Sequence, residues 1–156
     1  MKIGFTGTRK GMTEKQMIAF ALLMMELDLT EFHHGDAEGA DKQACKIIRD
    51  RPTLKEMHAH PAGSTGGLGG MIERYVLRDS HRNMFVLYNA RPPLTRNHDI
   101  VDCTELLIAC PKSMKEELRS GTWATVRYAR KLERPVIIIY PNGISSSEGN
   151  HHVEQG

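Results

Sequence analysis

The chain has 156 residues, of which 40% are hydrophobic and 26% charged, as in an ordinary globular domain. Its formal net charge of +2 is too small to indicate nucleic-acid or membrane binding by itself. Three cysteines at unrelated spacings favour reduced thiols over a disulfide framework, and no apolar run reaches the ~20 residues of a membrane helix. Gly7 comes too early for the apolar core of a signal peptide. We expect one cytoplasmic domain over residues 1–142 and a flexible tail over residues 143–156.

Short apolar segments alternate with helical patterns along the chain. The predicted strands are residues 2–6, 30–34, 54–60, 84–88, 106–110 and 135–140, and the predicted helices are residues 13–29, 42–49, 71–78, 94–102 and 122–132. This alternation predicts an α/β fold, a three-layer Rossmann-like sheet that is mainly parallel, with about five core strands and helices on both faces.

The first predicted helix has a clear start and an unusual surface. Thr13 and Gln16 have the spacing of a capping box. Residues 17–25 are then apolar on nearly all sides, whereas a helix that covers a sheet normally has a polar stripe. We expect a homodimer through this helix, and a central helix packed under a loop is the alternative.

The polar and glycine-rich sequence follows the ends of the predicted strands. In a parallel sheet, ligands bind outside the carboxyl ends of the strands, and the loops expected there are residues 7–11, 35–41, 61–70, 110–122 and 141–143. Residues 63–70 form either a mobile lid or a slack connection.

Ser120, Gly121 and Thr122 come between an apolar strand and a helix. Glycine lets a ligand approach the backbone, and the first amides of the helix favour an anion. Two hydroxyls and the charge of Arg119 make phosphate the natural ligand, although an ordinary turn capped by Ser120 has the same pattern.

Two further segments carry phosphate-binding residue types. Gly7, Thr8 and Arg9 form a turn after the first strand, in which Arg9 can clamp a phosphate. Arg96 and Asn97 begin a helix, and they suit phosphate and base or ribose, respectively. The alternatives are a solvated basic turn and a solvated helix face.

Acidic residues follow the second strand. Asp36, Glu38 and Asp41 could hold ribose hydroxyls, or act as nucleophile or base at a sugar carbon, or cap a helix. Gly35 and Asp41 are included in the expected binding site, and Glu38 and Asp36 are the candidate catalytic residues.

Four histidines lie on two neighbouring predicted strands, His33, His34, His58 and His60. Adjacent strand residues point to opposite faces, and no cysteine or carboxylate pattern completes a zinc tetrad. We therefore expect no metal and no cofactor, with His60 as a pocket wall.

Residues 4–9, 34–41, 96–102 and 119–125, taken together and in this order, resemble the SLOG superfamily. That Rossmann-like group contains the Lonely Guy phosphoribohydrolases and the DNA-processing protein A family. The resemblance implies a nucleotide-derived ligand whose phosphate is held by the Gly-Thr turn and by arginine. The enzymes of the group cleave the N-glycosidic bond of nucleotides through a Pro-Gly-Gly-x-Gly-Thr-x-x-Glu motif. Here Leu118 and Arg119 replace the glycine pair, and Thr125 replaces the glutamate.

The leading hypothesis is binding of a nucleotide or ribose-phosphate derivative at the carboxyl edge of the sheet. The first alternative is a hydrolase that releases a free base from a nucleotide, with Glu38 or Asp36 stabilising the transition state. The second is single-stranded DNA binding, which requires a basic groove with stacking aromatics. Because aromatic residues make up only 6% of the chain and the net charge is +2, we expect nucleic acid to be an unlikely partner.

Overall fold

The computed structural model describes residues 1–63 and 84–149. Strands and helices alternate along them, as the sequence predicts. The elements are β1 (Lys2–Gly7), α1 (Glu14–Glu26), β2 (Glu31–His34), α2 (Ala40–Ile48), β3 (Glu56–Ala59), β4 (Met84–Leu87), α3 (Pro93–Asp102), β5 (Leu106–Cys110), α4 (Gly121–Lys131), β6 (Val136–Ile139) and β7 (Ser145–Glu148). The predicted helix at residues 71–78 and nearly all of the loop at residues 63–70 lie outside the described residues.

The strands of the described residues form one sheet in the order β4-β3-β2-β1-β5-β6-β7. Every neighbouring pair is parallel except β6 and β7. The α/β, mainly parallel architecture is therefore confirmed. The sheet is wider than the expected core of about five strands, because β4 and β7 extend its two edges.

Helices cover both faces of the sheet, as β5 shows most clearly. Leu106 and Ile108 pack in a core cluster with residues of α1 and α2. Leu107 and Ala109 belong to a second cluster with residues of α3 and α4. Successive strand residues point to opposite faces, so the continuous apolar run of β5 reflects burial on both sides.

The predicted capping box of α1 is present, and its Gln16 side chain is hydrogen-bonded to the edge of the sheet. Thr13 Oγ1 accepts from Gln16 N at 3.1 Å, and Gln16 Oε1 accepts from Thr13 N at 3.0 Å. The amide nitrogen of the fully buried Gln16 side chain donates to Pro111 O at 2.8 Å and to Ile139 O at 2.9 Å. Gln16 thus joins the start of α1 to the carboxyl ends of β5 and β6.

The other face of α1 is exposed and apolar. Ile18, Leu22 and Met25 are 55%, 57% and 64% exposed, whereas Phe20 and Met24 are buried. Among the described residues, α1 is therefore not buried on all sides. The homodimer through this helix stays a prediction.

Two local expectations are wrong. Residues 145–148, expected in a flexible tail, form the antiparallel edge strand β7, and the Glu148 carboxylate accepts from Arg130 Nε at 2.6 Å and Nη2 at 2.7 Å. Asp36 does not cap α2, because the residue before the helix is Gly39, whose φ of 86° favours glycine.

None of the described helices has the length and hydrophobicity needed to cross a membrane.

We expect Gln16→Ala to lower the free energy of unfolding by about 3 kcal/mol, because it leaves two buried carbonyls without their donor. Urea unfolding followed by circular dichroism measures the effect. Lys15→Ala, at an exposed neighbouring position, is the control and should change stability by less than about 0.5 kcal/mol. Equal effects of the two substitutions would contradict the role of Gln16.

Candidate functional site

A cavity of about 440 Å³ lies at the carboxyl edge of the sheet, where the loops after β1, β2 and β5 meet the first turns of α3 and α4. The structure brings every predicted ligand-binding residue to its wall: Gly7, Thr8, Arg9, Gly35, Asp41, Arg96, Asn97, Arg119, Ser120, Gly121 and Thr122. Residues far apart in the chain therefore line one space, because parallel strands end at a common edge.

The loop after β1 is held by the backbone of Thr8. Thr8 N donates to Cys110 O at 3.1 Å, and Thr8 O accepts from Gly11 N at 3.1 Å and from Ala40 N at 3.0 Å. The buried Thr8 hydroxyl also accepts from Lys10 N at 3.2 Å. The loop is thereby fixed to β5 and α2, while Arg9 and Lys10 remain exposed.

The first turn of α4 faces the same cavity. Ser120 caps the helix, with its Oγ accepting from Trp123 N at 3.3 Å. The amides of Gly121 and Thr122 have no carbonyl one turn earlier to bond, as in every helix. Among the described residues beyond its own helix turn, a Cβ added at Gly121 would meet no atom within 4 Å, so the backbone there is open to a ligand. Capping by Ser120 and an anion site are compatible in this arrangement.

Arg96 and Asn97 are buried, at 7% and 9% exposure, rather than on a solvated helix face. Arg96 Nη1 donates to Gly35 O and, at 3.1 Å, to His60 O. Arg96 Nε donates to Asn97 Oδ1 at 2.8 Å. Arg96 therefore ties α3 to the ends of β2 and β3, and burial lowers the pKa of its guanidinium.

Asp41 lines the cavity and also shapes the loop after β2. Its Oδ2 accepts from Gly35 N at 3.0 Å and from Ala37 N at 3.3 Å. Burial raises the pKa of the Asp41 carboxyl from 3.8 to about 6, while the Arg96 charge and the two amide hydrogen bonds act in the opposite direction. Its geometry is that of a loop-organising carboxyl group.

The candidate catalytic carboxylates lie elsewhere. Neither Asp36 nor Glu38 is among the described residues that line the cavity. The Glu38 side chain is 57% exposed, 3.9 Å from Lys42 Nζ. Asp36 is fully buried at a positive φ of 52°, and its N–H donates to His34 Nδ1 at 3.1 Å.

Sequence reasoning missed three charged residues of the cavity wall, Lys10, Lys112 and Glu117. Lys112 Nζ lies 3.7 Å from Glu117 Oε2. Their position in the loops after β1 and β5 was the available signal, but a lone lysine or glutamate in a polar loop indicates no chemistry. Arg9, Lys10, Lys112 and Arg119 together give the cavity four exposed cations.

His60, expected as a pocket wall, lines a second cavity and not the one formed by the predicted binding residues. This second cavity, of about 350 Å³, is lined by His60, Pro61, Tyr88 and Cys103, among others. The rings of His60 and Tyr88 stack with centroids 4.1 Å apart. Arg96 borders both cavities.

We expect Asp41→Asn to change the pH dependence of stability. Between pH 4 and 6 the folded chain keeps a proton on Asp41 that the unfolded chain has released, so this group lowers stability as pH rises. Asparagine retains the acceptor oxygen but cannot ionise. The unfolding free energy of the variant, relative to the unsubstituted chain, should therefore rise across this window by up to about 3 kcal/mol. Urea unfolding at pH 4, 5, 6 and 7 tests this, and a difference that does not vary with pH would contradict it.

Comparison with known proteins gives similarity at the level of the fold. No family model and no curated protein matches the sequence. DNA processing protein A from Helicobacter pylori, whose structure is described for its unique single-stranded DNA binding mode, superposes with a TM-score of 0.61 at 19% identity. DNA processing protein A from Streptococcus pneumoniae superposes with a TM-score of 0.65 at 18% identity. Each match covers 88% of this chain, but only 64% and 49% of the respective relative.

These neighbours correct one expectation and support another. The expectation that nucleic acid is an unlikely partner is contradicted, because a protein of the same fold is described as binding single-stranded DNA. The aromatic content and net charge on which that expectation rested are averages over the chain, whereas the cavity carries a local cluster of cations. The chain therefore has the Rossmann-like fold of DNA processing protein A, as the sequence predicts.

Proposed function

We propose that the cavity binds single-stranded DNA through its phosphate groups, with one phosphate at the first turn of α4. The observation that carries the proposal is the meeting of an open helix N-terminus with four exposed cations around one cavity. Helix N-termini bind phosphate through their amides and their dipole. Arginine adds bidentate contacts to phosphate oxygens.

The charge of the cavity wall favours a polyanion. Arg9, Lys10, Lys112 and Arg119 are exposed, and among the described lining residues the only exposed or half-buried carboxylate is that of Glu117. Asp41 is buried and accepts two backbone hydrogen bonds. Phosphate contacts of this kind supply most of the non-specific affinity for nucleic acid.

The structural neighbours support the same partner. A protein with this fold is described as binding single-stranded DNA. Since the present chain covers 64% of its length at 19% identity, only the binding of a single strand is proposed, and the activity of the larger protein is not transferred.

A free nucleotide is the second candidate, and the size of the cavity favours it. A volume of about 440 Å³ lies within the range of small-ligand pockets, about 300–1,000 Å³. Cleavage of such a nucleotide has no support in the geometry, because Asp36 and Glu38 lie outside the described cavity wall.

Arg119→Gln should weaken binding of a fluorescent dT oligonucleotide about tenfold, because it removes a charged contact to phosphate. It should also reduce the slope of log K against log salt by about 0.7. Fluorescence anisotropy at several salt concentrations measures both quantities. Lys131→Gln is the matched control, since it removes one positive charge from the last residue of α4, which does not line the cavity.

Nucleotide competition distinguishes the two candidates. Displacement of the oligonucleotide only by millimolar mononucleotide supports the single strand as the ligand. Displacement by micromolar mononucleotide favours the free nucleotide. Absence of saturable oligonucleotide binding, or equal effects of Arg119→Gln and Lys131→Gln, would overturn the proposal.

Gly121→Ala separates folding from binding. Among the described residues beyond its own helix turn, a Cβ at this position meets no atom within 4 Å, and alanine favours helix more than glycine does. We expect the thermal midpoint to be unchanged or raised. Oligonucleotide binding should weaken several-fold, because the methyl group would stand between the phosphate and the amides of α4. Unchanged binding by this variant would place the phosphate away from the helix N-terminus.

A further inference from the structure

Two histidines and two glutamates form a compact group on one face of the sheet, away from the phosphate-binding cavity. Glu31 and His33 alternate on β2, and Glu56 and His58 alternate on β3. The register of the two parallel strands pairs Glu31 with Glu56 and His33 with His58. Alternate strand residues point to the same face, so the four side chains project from the corners of a small rectangle.

Three of these side chains bring ligand atoms to one point. Glu31 Oε1 lies 2.6 Å from His33 Nε2 and 3.3 Å from His58 Nε2. All three atoms are within 4.8 Å of one another. The ligand atoms of a tetrahedral zinc ion, with bonds of about 2.0–2.1 Å, are separated by about 3.4 Å.

The fourth side chain, that of Glu56, lies close to the Nε2 atom of His58. Glu56 Oε2 is 3.6 Å from His58 Nε2. The group therefore brings two imidazole nitrogens and two carboxylates together. The separations of 3.3 Å and 3.6 Å from His58 Nε2 are close to the ligand spacing of a tetrahedral site, whereas His33 Nε2 and Glu31 Oε1 are at hydrogen-bond distance.

His58 indicates that the group is incomplete without a ligand. Its side chain is only 9% exposed. Within the described residues, its Nε2 atom is buried and makes no hydrogen bond. That nitrogen lies 3.3 Å from Glu31 Oε1 and 3.6 Å from Glu56 Oε2. A buried polar atom without a partner is costly, and a cation coordinated at this position would provide the missing interaction.

The Nδ1 atoms of His33 and His58 each have a hydrogen-bond partner, which fixes the orientation of the two rings. His33 Nδ1 lies 2.8 Å from His60 Nε2, and His58 Nδ1 lies 2.9 Å from Tyr88 Oη. If both Nε2 atoms bind a cation, each Nδ1–H has an acceptor in place. Hydrogen bonds of this kind fix the ring orientation of metal-binding histidines. The His33 and His58 rings are stacked, with centroids 4.1 Å apart, so the binding of one ion by both Nε2 atoms requires the two rings to spread apart.

We propose that Glu31, His33, Glu56 and His58 bind one divalent transition-metal ion, for which their nitrogen and oxygen donors fit Zn²⁺ best. The glutamate side chains are 13% and 33% exposed, which gives the ion a path from solvent. Lys2 Nζ lies 4.0 Å from the other oxygen of Glu31, Oε2, and leaves Oε1 to the ion. The ion would cross-link β2 to β3.

The test uses the full chain without an affinity tag, stripped with a chelator and titrated with ZnCl₂. We expect one tightly bound zinc per chain by atomic emission after gel filtration, and a thermal midpoint that rises on addition of zinc. Glu31→Gln and His58→Gln should each weaken zinc binding at least about tenfold. Glu56→Gln, at a more exposed ligand, should also weaken it and carries little risk of misfolding.

Two controls address adventitious binding by other histidines. His98→Gln changes an exposed histidine on α3, and a double substitution of His151 and His152 by Gln removes the adjacent pair near the end of the sequence. Both should bind zinc as the unsubstituted chain does. Less than half a zinc per chain, retention of zinc by Glu56→Gln and His58→Gln, or equal loss in a control would overturn the proposal.

Discussion

The geometry of the carboxyl edge depends on the hydrogen bonds made by the backbone N–H and C=O of Thr8. Its N–H donates to the last residue of β5, and its carbonyl accepts from the first residue of α2. One residue after the central strand thus joins elements from both sides of β1. The loop after β1 and the start of α2 lie so close together that a Cβ at Gly39 would clash with the backbone of Arg9. A glycine is required there both by this contact and by its positive φ.

Around this junction, buried polar groups keep the shape of the site and exposed ones supply its charge. Arg96 bonds two backbone carbonyls and Asn97, so most of its donors are occupied within the chain. Asp41 bonds two amides. Burying such groups is tolerable only because they are hydrogen-bonded. The first turn of α4 and the exposed cations of the cavity wall remain available to the phosphate of the proposed ligand.

The SLOG resemblance and the structural neighbours agree on the fold, although the neighbours share only 18–19% of their residues with this chain. This chain and its structural neighbours share a parallel sheet whose loops meet at one edge. That arrangement accommodates binding and hydrolysis alike. The fold therefore does not choose between the two, and the predicted catalytic residues Asp36 and Glu38 are not among the described residues that line the cavity.

Much of the architecture was determined by the sequence itself, because its signals are local. Apolar runs and capping residues located every described strand and helix except β7 to within a few residues, and glycine-rich loops marked the edge where the cavity lies. The tertiary structure decided the features that depend on contacts between residues far apart in the chain. The polar sequence of β7 has no hydrophobic pattern, and it becomes a strand only by pairing with β6. The sequence shows Glu31 two residues before His33, and Glu56 two residues before His58. Only the register between β2 and β3 brings the four side chains together, because strand pairing is a long-range contact that no local pattern specifies.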